Sequence, residues 1–224
     1  MKKILLTRKQ FLGAMGLAGL SLTGCPPPSG GGDGGDNYFS RVLYALADSY
    51  IESEMPSKNF GGDIVIKTGE IYDPGRRDDS FRGFVKFDIS SIPSNARIDN
   101  AVFSLMSIIT ASSIQPIATV FLDKVLLNNW TESGLTYNNS PVSFEFISSR
   151  REEISGRFHD WNLTLTTREW LTGYRPNYGL SIKSLDIDDG FGGVSSPIGF
   201  FSKEVASQVG QPTCAPSLTI DYRV

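Results

Sequence analysis

The stretch FRGFVKFDI, residues 81 to 89, alternates with the period that a half-buried strand requires. Phe81, Val85, Phe87 and Ile89 fall on one face, and Arg82, Phe84, Lys86 and Asp88 on the other. Successive side chains of a strand point to opposite sides, so this pattern marks one side as core and the other as surface. Outward from there, the period of two returns in LTIDYRV, residues 218 to 224, whose apolar set is Leu218, Ile220, Tyr222 and Val224. It recurs in residues 63–68, 101–109, 117–127, 143–148, 158–163, 179–184 and 198–202, with Gly, Pro and Asn between. Only Thr166 to Thr172 reads as helix: Thr166 or Thr167 caps it, Trp170 and Leu171 face inward, and Gly173 ends it. Nine short strands and one short helix predict an all-β domain, two antiparallel sheets packed as a sandwich or jelly roll. No segment repeats at a fixed period, which argues against a propeller or solenoid.

The first 25 residues are of another kind. Lys2, Lys3, Arg8 and Lys9 precede an apolar run from Phe11 to Leu22, and the small pair Thr23-Gly24 precedes Cys25. This is the build of a secretory signal, and the run is shorter than the ~20 apolar residues that span a bilayer. Leu22-Thr23-Gly24-Cys25 resembles a bacterial lipoprotein box, which implies an acylated Cys25 at the mature N-terminus and an exported protein held on a membrane or cell surface. Thr7 to Leu12 resembles a twin-arginine export motif with Lys9 in place of the second arginine, which leaves the export route open. Pro26 to Pro28 forbid a continuing helix, and the Gly, Asp and Ser that follow have nothing to bury. The expected division is therefore a signal peptide over 1–25, a tether over 26–37 and a β-domain over 38–224.

Charge and cysteines narrow the chemistry. Four of the 21 basic residues and none of the 24 acidic ones precede Cys25, leaving 17 against 24, a net charge of -7 on the rest. An acidic exterior argues against nucleic acid as a partner. With Cys25 acylated, Cys214 is left alone, so neither a disulfide framework nor a thiolate metal site is available. Cys214 itself reads as an incidental small residue in a loop. A monomer is the expected state.

Further motifs carry a resemblance. Ala47 to Ile51, Asn59-Phe60-Gly61 and Arg82 to Pro93 look like the first half of a DNRLRE domain. Trp130 to Asn139, Trp170 to Gly173, Asn177 to Leu180, Phe201 to Glu204 and Pro216 to Tyr222 look like the second. Tyr137 stands where a tryptophan is usual, and residues 71–80 lengthen the loop before the Arg82 strand. The family is similar to carbohydrate-binding module family 96 and to modules of secreted proteins, some of which recognise alginate. The resemblance implies a jelly roll that binds polysaccharide without chemistry, and such modules often hold a structural calcium.

Several residues are candidates for function. Arg82 and Lys86 project from one strand face ~13 Å apart, with Phe84 between them. Cation, aromatic and cation in a row match a uronic-acid chain, because arginine forks pair with carboxylates and an aromatic face packs on sugar C–H groups. Arg76 and Arg77 extend that row. The alternative is that Arg82 and Lys86 pair with Asp78, Asp79 or Asp88. Trp130, Trp161 and Trp170 read as core anchors, and Glu132 as a partner for backbone amides of its own turn. Asp186-Ile187-Asp188-Asp189-Gly190 clusters carboxylates as a calcium loop does, but lacks its spacing and reads as a turn. His159, the one histidine, shares its parity with Trp161 and Leu163 and reads as a core or edge residue rather than a base. A non-catalytic polysaccharide binder is the expected function, with a structural or adhesive surface protein and an unrecognised polysaccharide-cleaving enzyme as alternatives.

Overall fold

The computed structural model of the chain describes residues 37–71, 79–108, 117–188 and 197–224, with the backbone alone for 186–188. Eleven strands lie among them: β1 (Tyr38–Tyr44), β2 (Ala47–Glu52), β3 (Val65–Ile71), β4 (Asp79–Lys86), β5 (Arg97–Met106), β6 (Ile117–Val125), β7 (Phe144–Glu153), β8 (Phe158–Asn162), β9 (Leu180–Asp188), β10 (Ile198–Phe201) and β11 (Ser217–Arg223). The smaller sheet has the order β1-β11-β5-β8. The larger runs β10-β3-β4-β9-β6-β7, with β2 also paired to β4. Every pairing is antiparallel.

The inner faces of the two sheets meet as a β-sandwich. Phe81, Val85 and Phe87 of the FRGFVKFDI stretch join Val120, Leu122 and Ile182 of the larger sheet and Ile98, Phe103, Leu105, Leu218 and Ile220 of the smaller in one buried cluster. Phe87 meets Phe103 edge-on across the layers at 5.7 Å between ring centroids, and Phe103 stacks on Trp161 at 5.6 Å. Each such side chain contributes about 1.5–3 kcal/mol by leaving water. Trp130, Trp161 and Trp170 are all buried, as their apolar surroundings predict. Lys124 is also enclosed, and its ammonium pairs with Glu145 at 2.9 Å and with Glu169 of the helix described below.

Strand β3 changes partner along its length within the larger sheet. Val65 to Thr68 of β3 pair with β10, whereas Gly69 to Ile71 pair with β4. A bridge between Ser107 and Phe200 ties β10 to the end of β5. Packing between β3 and β4 is close: a Cβ at position 83 would lie 2.5 Å from Ile66 Cγ2, so the break in the apolar face of FRGFVKFDI is a glycine. The two ends of the described region also meet, since Asn37 and Val224 exchange backbone hydrogen bonds of 3.4 and 3.2 Å.

Three features differ from the sequence reading. Strands β1 and β2 were not expected. β1, an edge strand, exposes Tyr38, Phe39, Val42 and Tyr44, so both its faces are apolar and no alternation shows. β2 buries Asp48, Ser49 and Glu52 among its apolar residues. Helix α1 spans Thr164–Leu171; its first amide is capped by Asn162 Oδ1 at 3.0 Å, and Thr166 and Thr167 lie buried inside the helix rather than at its cap. A second short helix, α2 (Glu204–Gln208), corrects the expectation of a single one. Asp36 to Val224 form one compact unit. No helix among the described residues is long and apolar enough to cross a membrane.

Candidate functional site

The outer face of the larger sheet carries Arg82, Phe84 and Lys86 on β4. Gly83 pairs with Ile182, Phe121 with both Lys183 and Ser149, and Asp123 with both Ser181 and Phe146. By alternation, Arg82, Lys183, Phe121, Asp123, Phe146 and Ser149 therefore share this face. It has two halves, and the chain between β6 and β7 divides them.

One half is covered. Residues 126–143 lay Trp130 and Leu135 over Ile51, Phe84 and Val125, a second apolar cluster outside the sandwich core. The Trp130 indole packs against Phe84 at 5.8 Å and donates its N–H to the Tyr178 carbonyl at 2.9 Å. Phe84 is thus 0% exposed and is no platform for a ligand, which corrects the row proposed from strand alternation. Alternation assigns a side chain to a face but is blind to a distant loop that covers it. Lys86 donates to Asn129 Oδ1 of that loop at 2.5 Å, and burial lowers its pKa. Lys86 does not line the groove around Arg82.

The other half is open. A groove of about 350 Å³ is lined by Ile51, Arg82, Tyr137, Val142, Phe144 and Lys183, among others. The Arg82 guanidinium lies 4.4 Å over the Phe144 ring, and the Lys183 ammonium 5.1 Å over Phe121. Phe146, beside Phe121 at 6.5 Å, is 60% exposed. Burial pulls the Arg82 pKa down and the field of Asp123 opposes it. The ion-pair alternative is not what forms among the described residues: Asp79 accepts from the Ser53 hydroxyl at 2.8 Å and the Glu54 N–H at 3.1 Å, and Asp88 from the Ser90 N–H at 2.9 Å. Arg76, Arg77 and Asp78 lie outside the described residues, as does Cys25. Phe144, Lys183 and Tyr137 were not foreseen as site residues, although the departure at Tyr137 pointed to this loop.

Beside the covered half, the family-like motifs converge. The Asp48 N–H donates to Glu132 Oε1 at 2.9 Å, the Asn59 side-chain amide donates to the Glu132 and Leu135 carbonyls, and the Lys203 N–H donates to Asp48 Oδ2 at 2.7 Å. Glu132 therefore reaches β2 rather than its own turn, which corrects its expected role. Burial pushes the Asp48 carboxyl up to about 8, with Glu204 and Glu132 adding to the shift. One oxygen each from Asp48, Glu132 and Glu204 lies within 4.8 Å of the others, a grouping that raises the question of calcium. The Lys203 ammonium already stands 3.0 Å from Glu132 and 2.6 Å from Glu204. A hard cation needs several oxygens at about 2.3–2.6 Å on all sides, and a resident ammonium leaves no such cage, so these residues do not fit the metal. The side chains of residues 186–190 lie outside the described residues.

At the sandwich edge, His159 Nδ1 is 2.5 Å from Glu152 Oε2, and Nε2 is 3.1 Å from Ser107 Oγ. The order matches an acyl-transfer triad. Yet Ser107 is 0% and His159 1% exposed, and the Gly156 and Arg157 amides donate to the serine oxygen. The group acts as a polar seam between β7, β8 and the end of β5, in keeping with a buried histidine. Burial also raises the Cys214 thiol pKa, which keeps it protonated.

A β-sandwich with a groove of cations stacked on aromatic rings along one sheet face has the build of a glycan-binding module. The chain belongs to carbohydrate-binding module family 96, whose family model matches residues 40–211, from β1 to just beyond α2. A search of curated protein sequences finds no match.

Proposed function

We propose that this carbohydrate-binding module is a non-catalytic, lipid-anchored protein of the cell surface that takes acidic polysaccharide, such as a polyuronate, in the groove at Arg82. The observation that carries the reading is the Arg82 guanidinium, 4.4 Å over the Phe144 ring, with Lys183 on the neighbouring strand and no ion pair to either among the described residues. A stacked guanidinium keeps its outer edge for a carboxylate and forms a bidentate pair without first having to be ordered. Phe146 and Tyr137 supply apolar surface for sugar C–H faces. The Leu22 to Cys25 box supports the anchor.

Affinity electrophoresis tests the ligand class. Migration of the protein is expected to slow in gels containing alginate or pectate and to stay unchanged in neutral glucans. Retardation by neutral glucans alone overturns the acidic class, and release of reducing ends or unsaturated products overturns the non-catalytic reading. For the anchor, Cys25→Ser is expected to abolish incorporation of labelled palmitate in cells; persistent labelling would reject it.

A further inference from the structure

Across the sheet from the groove at Arg82 stands a second set of arginines. Thr119 pairs with both Leu185 and Arg151, so Arg151 of β7 stands on the same outer face as Lys183, Phe121 and Arg82. Three strand steps at about 4.8 Å each separate β4 from β7, or about 14 Å. Phe121 of β6 lies between them, with Phe146 of β7 beside it at 6.5 Å. At the far side, around the β7 edge, lies a second cavity of about 530 Å³, lined by Arg150, Arg151, Glu152, Arg157 and Phe158.

The charges there are unevenly spent. Glu152 gives one oxygen to Arg150 Nε at 2.5 Å and the other to His159 at 2.5 Å, leaving Arg157 at 3.8 Å with half its side chain exposed. Arg150 also donates to the Asp160 carbonyl. Arg151 is exposed and forms no ion pair with the described residues. Arg151 is thus without an ion pair among the described residues and Arg157 is only loosely paired with Glu152, both across Phe121 from Arg82.

We infer that these two arginines form a second anionic subsite, and that the ligand is an internal stretch of a polyanionic glycan, gripped at Arg82 and again at Arg151 and Arg157. The inference rests on the groove at Arg82 being the glycan site. A chain that meets both clusters gains a second contact without a second loss of translational freedom, so affinity rises with chain length until both are reached. A single sugar or a disaccharide meets only one.

Titration calorimetry of the protein with digalacturonate and with polygalacturonate tests this, with affinities expressed per occupied site. The polymer is expected to bind at least tenfold more tightly. Arg151→Ala combined with Arg157→Ala is expected to remove that advantage, a loss of about 1.4 kcal/mol or more, while digalacturonate still binds at the Arg82 groove. Arg151→Glu alone, which leaves the Glu152 seam intact, is expected to reproduce the loss. Equal affinity for the two ligands in the wild type, or polymer affinity unchanged in these variants, overturns the second subsite while leaving the groove standing. Absence of binding to both ligands in the wild type overturns the groove reading and this inference with it.

Discussion

The two halves of the larger sheet's outer face share strands, register and alternation, yet they do opposite work. On one, Trp130 and Leu135 come down over Phe84 and Val125 and make a second core. On the other, Arg82 and Lys183 lie over Phe144 and Phe121 and remain open to solvent along a groove. What separates them is the single long connection between β6 and β7, whose far end supplies Tyr137 and Val142 to the groove wall. The cover and the site are thus built by the same loop. A sheet face stays open where cover stops, and the loop that ends the cover forms the first wall of the groove.

Four variants break or sharpen this contrast, in order of expected effect. Trp130→Ala removes the buried indole and its bond to Tyr178, and is expected to cost about 3–5 kcal/mol in chemical denaturation. It should also weaken glycan binding, because Tyr137 and Val142 lose their support; full binding in that variant would show the two halves to be independent. Arg82→Ala is expected to lower polyuronate affinity at least tenfold in calorimetry while costing only about 1 kcal/mol of stability, the worth of its ring contact. Unchanged affinity would remove the groove as the site.

Asp48→Asn probes the motif cluster beside the cover. Because the folded carboxyl titrates near 8 and its unfolded value is 3.8, the folded chain holds an extra proton between those limits. The stability from this group is fully present below about pH 4 and is lost as pH rises through 8. The variant is expected to flatten that decline in a melting-temperature series from pH 4 to 9, and a slope identical to the wild type would contradict the buried protonated acid. Lys86→Ala is expected to do least. Its ammonium answers Asn129 of the covering loop, so glycan affinity should hold, and a loss equal to that of Arg82→Ala would erase the distinction between the halves.

Much of the fold was legible in the alternation of short strands, because each had one face against the core. β1 and β2 were not. Tyr38, Phe39, Val42 and Tyr44 put apolar groups on both faces of an edge, and β2 buries Asp48 and Glu52 where a polar residue signals surface. Helix α2 is too short for periodicity to show. Of the site, Arg82 stands in the groove, since its face and its neighbour's parity are local properties of one strand. Phe84 was misplaced, and Phe144 and Lys183 were not seen, because their roles depend on pairing with residues far away in sequence. The motifs at Asp48, Asn59, Glu132 and Lys203 lie far apart in sequence, and only in space do they become one hydrogen-bonded cluster.

The paired hydrogen bonds between Asn37 and Val224 make the folded region a ring in all but one covalent link. A short linker across that gap would cost little closure entropy. A circular permutant that begins elsewhere, in a surface turn clear of the groove, should reach the same sandwich and keep its grip.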